Sequence, residues 1–241
     1  MHHQNTGPLA GIRILDMTAV VMGPFSTQIL ADLGADVIKV ESTVGDSMRM
    51  VGPMRNPKMG SIYLHLNRNK RSIVLDLKSE EGRAACLALA KESDILLYNI
   101  RPASMKKLGL AYEDVKAVNP RIVYAGVYGF GEEGPYAGRP AYDDLIQGMV
   151  GIGRLYETNT QHEPRYTPLT LADRVIGLQA AIACLAGVLN ARATGEGQAI
   201  EIPMYEGMAQ FVLGDHLAEK TFDFENGQTG YQRLMTTYRK P

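Results

Sequence analysis

From Ile12 to Val127 the sequence alternates short, β-branched apolar runs with stretches of helical spacing, and few folds accept that order. Ile12 to Met17 predicts a strand. Pro24 suits the first turn of a helix, and Phe25, Ile29, Leu30 and Leu33 give that helix one apolar face as far as Gly34. Ala35 to Val40 predicts the next strand, closing with Glu41. Strand, helix and strand in this order form a βαβ unit with parallel strands. The pattern then repeats. Ser72 to Leu77 predicts a strand, and Ser79 an N-cap followed by Glu80 and Glu81, where the helix dipole favours anions. Asp94 to Tyr98 and Arg121 to Val127 predict strands, with a helix over Tyr112 to Val118 between them. The last of these strands runs into the turn Gly129 to Pro135. Such alternation predicts an α/β fold, a Rossmann-like doubly wound parallel sheet.

The second half changes character. Asp143 to Ile152 predicts a helix. Arg174 to Ala193 predicts a longer one, apolar almost all round and therefore buried. It stops at Thr194-Gly195-Glu196-Gly197. Ala199 to Ile202 predicts a brief strand and Met204 to Leu217 a further helix, and after Thr221 the pattern dissolves. At 241 residues the chain fits one large domain or two small ones and can bury a core without staples. Its formal charge of −1 excludes the basic surplus of a nucleic-acid binder. Cys86 and Cys184 form neither a disulfide framework nor a metal-ligand spacing. The start lacks the pattern of a signal peptide, and the longest apolar stretch, Ala180 to Leu189, is too short to span a bilayer. The expectation is a cytoplasmic enzyme that engages neither nucleic acid nor membrane.

Candidate motifs narrow the chemistry. A dinucleotide site needs glycines after the first strand so that backbone can approach a pyrophosphate. The loop Thr18 to Gly23 holds only one, so NAD binding is not expected, and Glu41 reads as a strand-end carboxylate paired with a nearby base. The histidines, His162 included, have no partner at zinc-ligand spacing, and no G-x-S-x-G elbow occurs. The basic run Asn67-Arg68-Asn69-Lys70-Arg71 is open between a solvated turn and an anion site. Asp173 lies at the start of the long apolar helix, where a carboxylate caps free N–H groups. The helix end and Arg174 both favour its ionised form. It is open between a structural cap and a nucleophile.

Several stretches taken in order resemble one family. They are Pro8 to Asp16, Leu30 to Glu41, Gly45-Asp46, Asn67 to Ser72, Leu75 to Lys78 and Asn99 to Pro102, then Gly129 to Gly131, Gly134-Pro135, Tyr142-Asp143, Gln147, Asp173 with Gly177, and Arg192 to Gln198. Over about Pro8 to Glu206 the chain resembles the N-terminal part of a class III CoA-transferase, the group that includes formyl-CoA and crotonobetainyl-CoA transferases and α-methylacyl-CoA racemase. The resemblance implies a Rossmann-like large domain, a smaller domain inserted later, and an interlocked homodimer of full-length chains. It implies no metal and no tightly bound cofactor, with coenzyme A thioesters as substrates and a free carboxylic acid as acceptor. It implies that Asp173 attacks the donor acyl-CoA to give an acyl–aspartyl anhydride and free CoA. The thiolate then forms an aspartyl-CoA thioester, and an acceptor carboxylate leaves carrying the CoA.

By position, the resemblance assigns the CoA site to Val20, Val21 and Met22, to Leu75, Asp76, Leu77 and Lys78, to Asn99, Ile100 and Arg101, and to Lys107. Tyr142 stands where racemases of the family carry a His, which favours transfer over racemisation, the alternative activity. Val21 stands where formyl-CoA transferases carry a Gln, which points away from oxalate as acceptor and toward a less polar acyl group. Family members run well past Pro241. The resemblance thus divides the chain into 1–220, part of the large domain, and 221–241, a linker toward a small domain this chain lacks. A truncated chain that only binds CoA or a partner is the remaining alternative.

Overall fold

The computed structural model describes residues 6–160 and 163–231, without the side chains of 157–160. Six strands form one parallel sheet: β1 (Arg13–Met17), β2 (Asp36–Glu41), β3 (Lys70–Val74), β4 (Ile95–Tyr98), β5 (Val123–Tyr128) and β6 (Gln198–Pro203). Their order is β3-β2-β1-β4-β5-β6. The chain winds outward from β1 through β2 to β3, then returns to the other side of β1 with β4. That reversal leaves a crevice beyond the carboxyl ends of β1 and β4, the usual ligand position in open α/β sheets.

The helices are α1 (Met22–Asp32), α2 (Ser61–Leu66), α3 (Glu80–Lys91), α4 (Pro102–Lys107), α5 (Tyr112–Val118), α6 (Asp143–Met149), α7 (Ile152–Thr160), α8 (Leu171–Thr194) and α9 (Met204–His216). Successive strand residues face opposite ways, and both faces are covered. Ile14, Val37, Ile95, Leu97, Val123 and Ala125 share one core with residues of α1, α8 and α9. Leu15, Met17, Leu96, Tyr98 and Tyr124 share the other with Cys86, Ala90, Met105 and Val115. Ser79 caps α3 as its sequence predicts, its hydroxyl accepting from the Gly82 N–H at 3.0 Å.

Four expectations need correction. The strand expected over Ser72 to Leu77 is β3 at Lys70–Val74, so Leu75 to Lys78 lie in the loop beyond it. Their alternation persists because Leu75 and Leu77 still pack on the second core. The helix expected over Asp143 to Ile152 splits into α6 and α7 at Gly151, whose φ of +81° breaks the helical path. The long helix α8 begins at Leu171 and runs 24 residues, long and apolar enough to cross a membrane, beyond what the run Ala180 to Leu189 suggested. Here it packs along α1, β5 and β6. Nor is α8 buried all round: Leu178, Ile182 and Leu189 are 50%, 67% and 69% exposed along one side. A helix in contact with a sheet on one side hides only that side, whatever its composition. Of 221–241, residues after Thr221 and up to 231 carry no helix or strand, and 232–241 lie outside the described residues, as does His162.

Candidate active site

The loop from β1 into α1, Thr18 to Val21, and the first turn of that helix are fastened by buried side chains. Asp16 accepts from the Thr18 N–H (2.9 Å) and hydroxyl, from the Thr27 hydroxyl (2.6 Å), and from Lys70 Nζ (3.0 Å). Lys70 Nζ also donates to the Pro24 carbonyl (2.9 Å). Lys39 Nζ donates to the Thr18 carbonyl (2.6 Å) and pairs with Asp46 Oδ2 (3.0 Å). The Asn99 amide takes both sides of Ala19, accepting from its N–H (3.0 Å) and donating to its carbonyl (2.7 Å). Asp46 Oδ1 accepts from the Val20 N–H (3.2 Å). Burial alone would push the Asp16 carboxyl up, but Lys70, Lys39 and the two threonine hydroxyls hold it well below the usual carboxylate range. Burial likewise pulls Lys70 down, to about 8, against the pull of Asp16. Inside this cage Val20 has φ +73°, a left-handed conformation that a β-branched residue adopts only under constraint.

Above the loop lies a cleft of about 580 Å³, at the switch point between β1 and β4. Its lining draws on Met17, Thr18 and Ala19, on Lys39 to Asp46, and on Leu75 to Lys78, Asn99, Ile100 and Leu108. Six of the sequence-assigned residues therefore meet there: Leu75, Asp76, Leu77, Lys78, Asn99 and Ile100. Val20 adjoins the lining and is half-buried, whereas Val21 and Met22 are buried at the start of α1. Arg101 caps α4 and Lys107 closes it, both exposed and outside the lining. Lys78, Arg101 and Lys107 make no ion pair among the described residues.

Asp173 is the third residue of α8, whose N-cap is Thr170, so it is not the cap. It is buried, and its own N–H donates to Asp143 Oδ1 at 2.9 Å. Gln147 on α6 steadies that partner: its amide donates to Asp143 and to the Leu169 carbonyl (3.2 Å), and accepts from the Thr167 N–H (3.0 Å). Burial first, then the facing Asp143 carboxylate, push the Asp173 carboxyl up to about 7, with Arg174 pulling the other way. The expectation that the helix end and Arg174 would favour its ionised form is thus reversed. Burial and a like charge outweigh one neighbouring guanidinium, which itself stacks on the Phe25 ring at 4.5 Å. One turn along the same face of α8, Gly177 meets α1 so closely that a Cβ would lie 2.8 Å from the Met22 carbonyl. The loop that floors the cleft therefore ends beside the turn of α8 that carries Asp173.

The basic run 67–71 is an exposed turn at Arg68 and Asn69 that leads into β3, and its cations are paired within the chain. Arg68 and Asn69 bind Asp32, Arg71 binds Asp36 bidentately, and Lys70 is the buried partner of Asp16. Glu41 is paired as expected, with Arg49 Nη2 at 2.6 Å and Nε at 2.7 Å; burial raises its carboxyl, but these bonds hold it down at about 2. The residues missed in the sequence are the clamp itself: Asp16, Lys39, Asp46 and Lys70. One signal was present, since Lys39 sits between Ile38 and Val40 in a strand expected to be buried in a parallel sheet, where an ammonium survives only with a partner.

A family model described as CoA-transferase family III matches residues 9–239. The succinate–glutarate CoA-transferase of Agrobacterium fabrum is 37% identical over 206 residues, covering 83% of this chain and 51% of that protein. The formyl-CoA:oxalate CoA-transferase of Streptomyces coelicolor is 41% identical over 199 residues, covering 81% of this chain and 47% of that protein. The crystal structure of a CAIB/BAIF family protein from Brucella suis matches with TM-score 0.84 at 35% identity, covering 93% of this chain and 60% of that one. The chain spans about half the length of the curated relatives it matches.

Proposed function

The chain belongs to CoA-transferase family III, and we propose that it carries the CoA-binding cleft and the nucleophile of an enzyme that moves CoA between carboxylic acids. The observation that carries the reading is the continuity of one clamped loop. Thr18 and Ala19 floor the cleft, and Met22 abuts Gly177, one turn from Asp173. A thioester whose CoA lies along the strand ends reaches Asp173 over that loop. Lys78 in the lining, and Arg101 and Lys107 beside it, make no ion pair among the described residues and offer cations for CoA phosphates. Asn99 spends its amide on Ala19, so its part is to hold the floor.

In this reading the Asp173 carboxylate attacks the thioester carbonyl, the C–S bond breaks, and CoA leaves as thiolate from an acyl–aspartyl anhydride. The thiolate attacks the aspartyl carbonyl, releasing the donor acid and leaving an aspartyl-CoA thioester. An acceptor carboxylate repeats the sequence in reverse, restoring Asp173. Dividing the exchange into such steps is what a carboxylate nucleophile offers. A homodimer of the full-length form and a cytoplasmic location complete the proposal. Family resemblance supports the first, and the two buried free cysteines, Cys86 and Cys184, support the second.

Incubation with a panel of acyl-CoAs and hydroxylamine, read by intact mass and peptide mapping, tests this. A hydroxamate on Asp173 that is absent from Asp173→Ala is the expected result. Its formation rate rises with pH through about 7, because only the ionised carboxylate attacks. No adduct, or the same adduct on the variant, overturns the proposal.

A further inference from the structure

Asp46 stands where two loops meet. The stretch from Ser42 to Asp46 leaves β2 and forms one wall of the cleft, while the loop leaving β1 floors it with Thr18 and Ala19 and continues through Val20 into α1. The Asp46 carboxylate is buried and serves both. Its Oδ1 accepts from the Val20 N–H at 3.2 Å and the Met48 N–H at 3.0 Å, and its Oδ2 pairs with Lys39 Nζ at 3.0 Å. Its own N–H donates to Glu41 Oε2 at 2.9 Å. Lys39 returns to the floor through the Thr18 carbonyl.

The residue this carboxylate holds is the strained one. Val20 at φ +73° persists only where its surroundings over-determine it. Ala19 is fixed by Asn99 and Thr18 by Asp16 and Lys39, but the Val20 N–H has Asp46 as its partner. Without that acceptor the left-handed conformation loses its support, and relaxation to negative φ redirects the chain two residues before Met22, which abuts Gly177 beside Asp173.

We propose that Asp46 is a positioning residue: through the Val20 N–H it holds the floor loop in the strained form that sets an acyl-CoA carbonyl against Asp173, and so governs the rate of acyl transfer more than the affinity for CoA. The inference rests on the reading of the cleft as the acyl-CoA site. A misplacement of about 1 Å at a reacting centre costs about 100-fold in rate, whereas the cleft walls formed by Leu75 to Lys78 and by Ile100 and Leu108 lie outside this bond.

The test follows amide exchange and Asp173 labelling in wild type, Asp46→Ala and Asp46→Asn. In Asp46→Ala the Ala19 and Val20 amides exchange at least about tenfold faster while those of β4 and β5 are unchanged. The saturating labelling rate falls by about 100-fold, and the half-saturating acyl-CoA concentration moves by less than about threefold. Asp46→Asn keeps an acceptor for Val20 but turns an NH2 group toward Lys39 Nζ, so it recovers only part of both losses. Unchanged Val20 exchange overturns the proposal. So does faster exchange throughout the sheet in both variants, which marks a purely structural role, or a loosened Val20 with an undiminished rate. Wild-type protein that acyl-CoA does not label sinks the site reading itself and takes this inference with it. Labelled wild type with an indifferent Asp46→Ala sinks only the inference.

Discussion

Replacing Asp173 with Asn should stabilise the protein at neutral and alkaline pH, by an amount the structure sets. Burial and Asp143 raise the Asp173 carboxyl from an ordinary 3.8 to about 7. The folded state therefore binds this proton more tightly than the unfolded state does. Between about pH 4 and pH 7 folding takes up a proton, so stability falls as pH rises through that window and stays lower above it. At about 1.36 kcal/mol per pH unit the gap amounts to about 4 kcal/mol, a large part of the stability of an ordinary domain. Asn has nearly the same volume, carries no charge, and leaves the backbone bond from residue 173 to Asp143 in place. Urea unfolding of both proteins at a series of pH values from 4 to 8.5 isolates the effect, because titrating groups away from residue 173 cancel in the difference. The difference should be near zero at the acid end and grow to about 4 kcal/mol in favour of Asp173→Asn by pH 8, with equal m-values. Two parallel curves separated by a constant offset would refute the reasoning, since the proton linkage would then lie elsewhere. The physical content is a trade: a carboxylate kept dry and beside a like charge costs fold stability.

Two further predictions concern the scaffold. Lys70→Met strands the fully buried Asp16 carboxylate without its nearest ammonium and should cost about 3–5 kcal/mol, read as a fall in urea midpoint at pH 7; a loss below about 1 kcal/mol would mean that Lys39 and the hydroxyls suffice. Gly177→Ala puts a methyl group 2.8 Å from the Met22 carbonyl and 2.9 Å from the Phe25 ring, and forcing α1 and α8 apart should cost about 1–3 kcal/mol while slowing Asp173 labelling; an unchanged rate would separate the α1 register from the chemistry.

Much of the fold was legible because its signals are local. Strand runs such as Ile12 to Met17, the Ser79 cap and the Gly195 stop depend on residues a few positions apart, and Gly195 indeed takes the left-handed form at φ +82°. Boundaries failed where tertiary contacts override local pattern. Leu75 and Leu77 alternate like a strand because they pack on a core, although β3 has ended. The exposed side of α8 was not legible at all, since a composition apolar all round does not say which neighbours exist.

For the site, the order of motifs along the chain singled out Asp173 and the strand-end loops, because each belongs to a short segment. What lay beyond the sequence was how charges distant in the chain pair: Lys70 with Asp16, 54 positions away, and Asn99 with Ala19, 80 positions away. The state of Asp173 was likewise settled by burial and then by Asp143, 30 residues upstream. Sequence alone determined a doubly wound α/β chain, because propensity and hydrophobic period act over one turn or one strand. Only the tertiary structure decided that Lys70 of the basic run is the buried partner of Asp16 and that Asp173 is raised in pKa, because desolvation and Coulomb interaction depend on distance in space and not on distance along the chain.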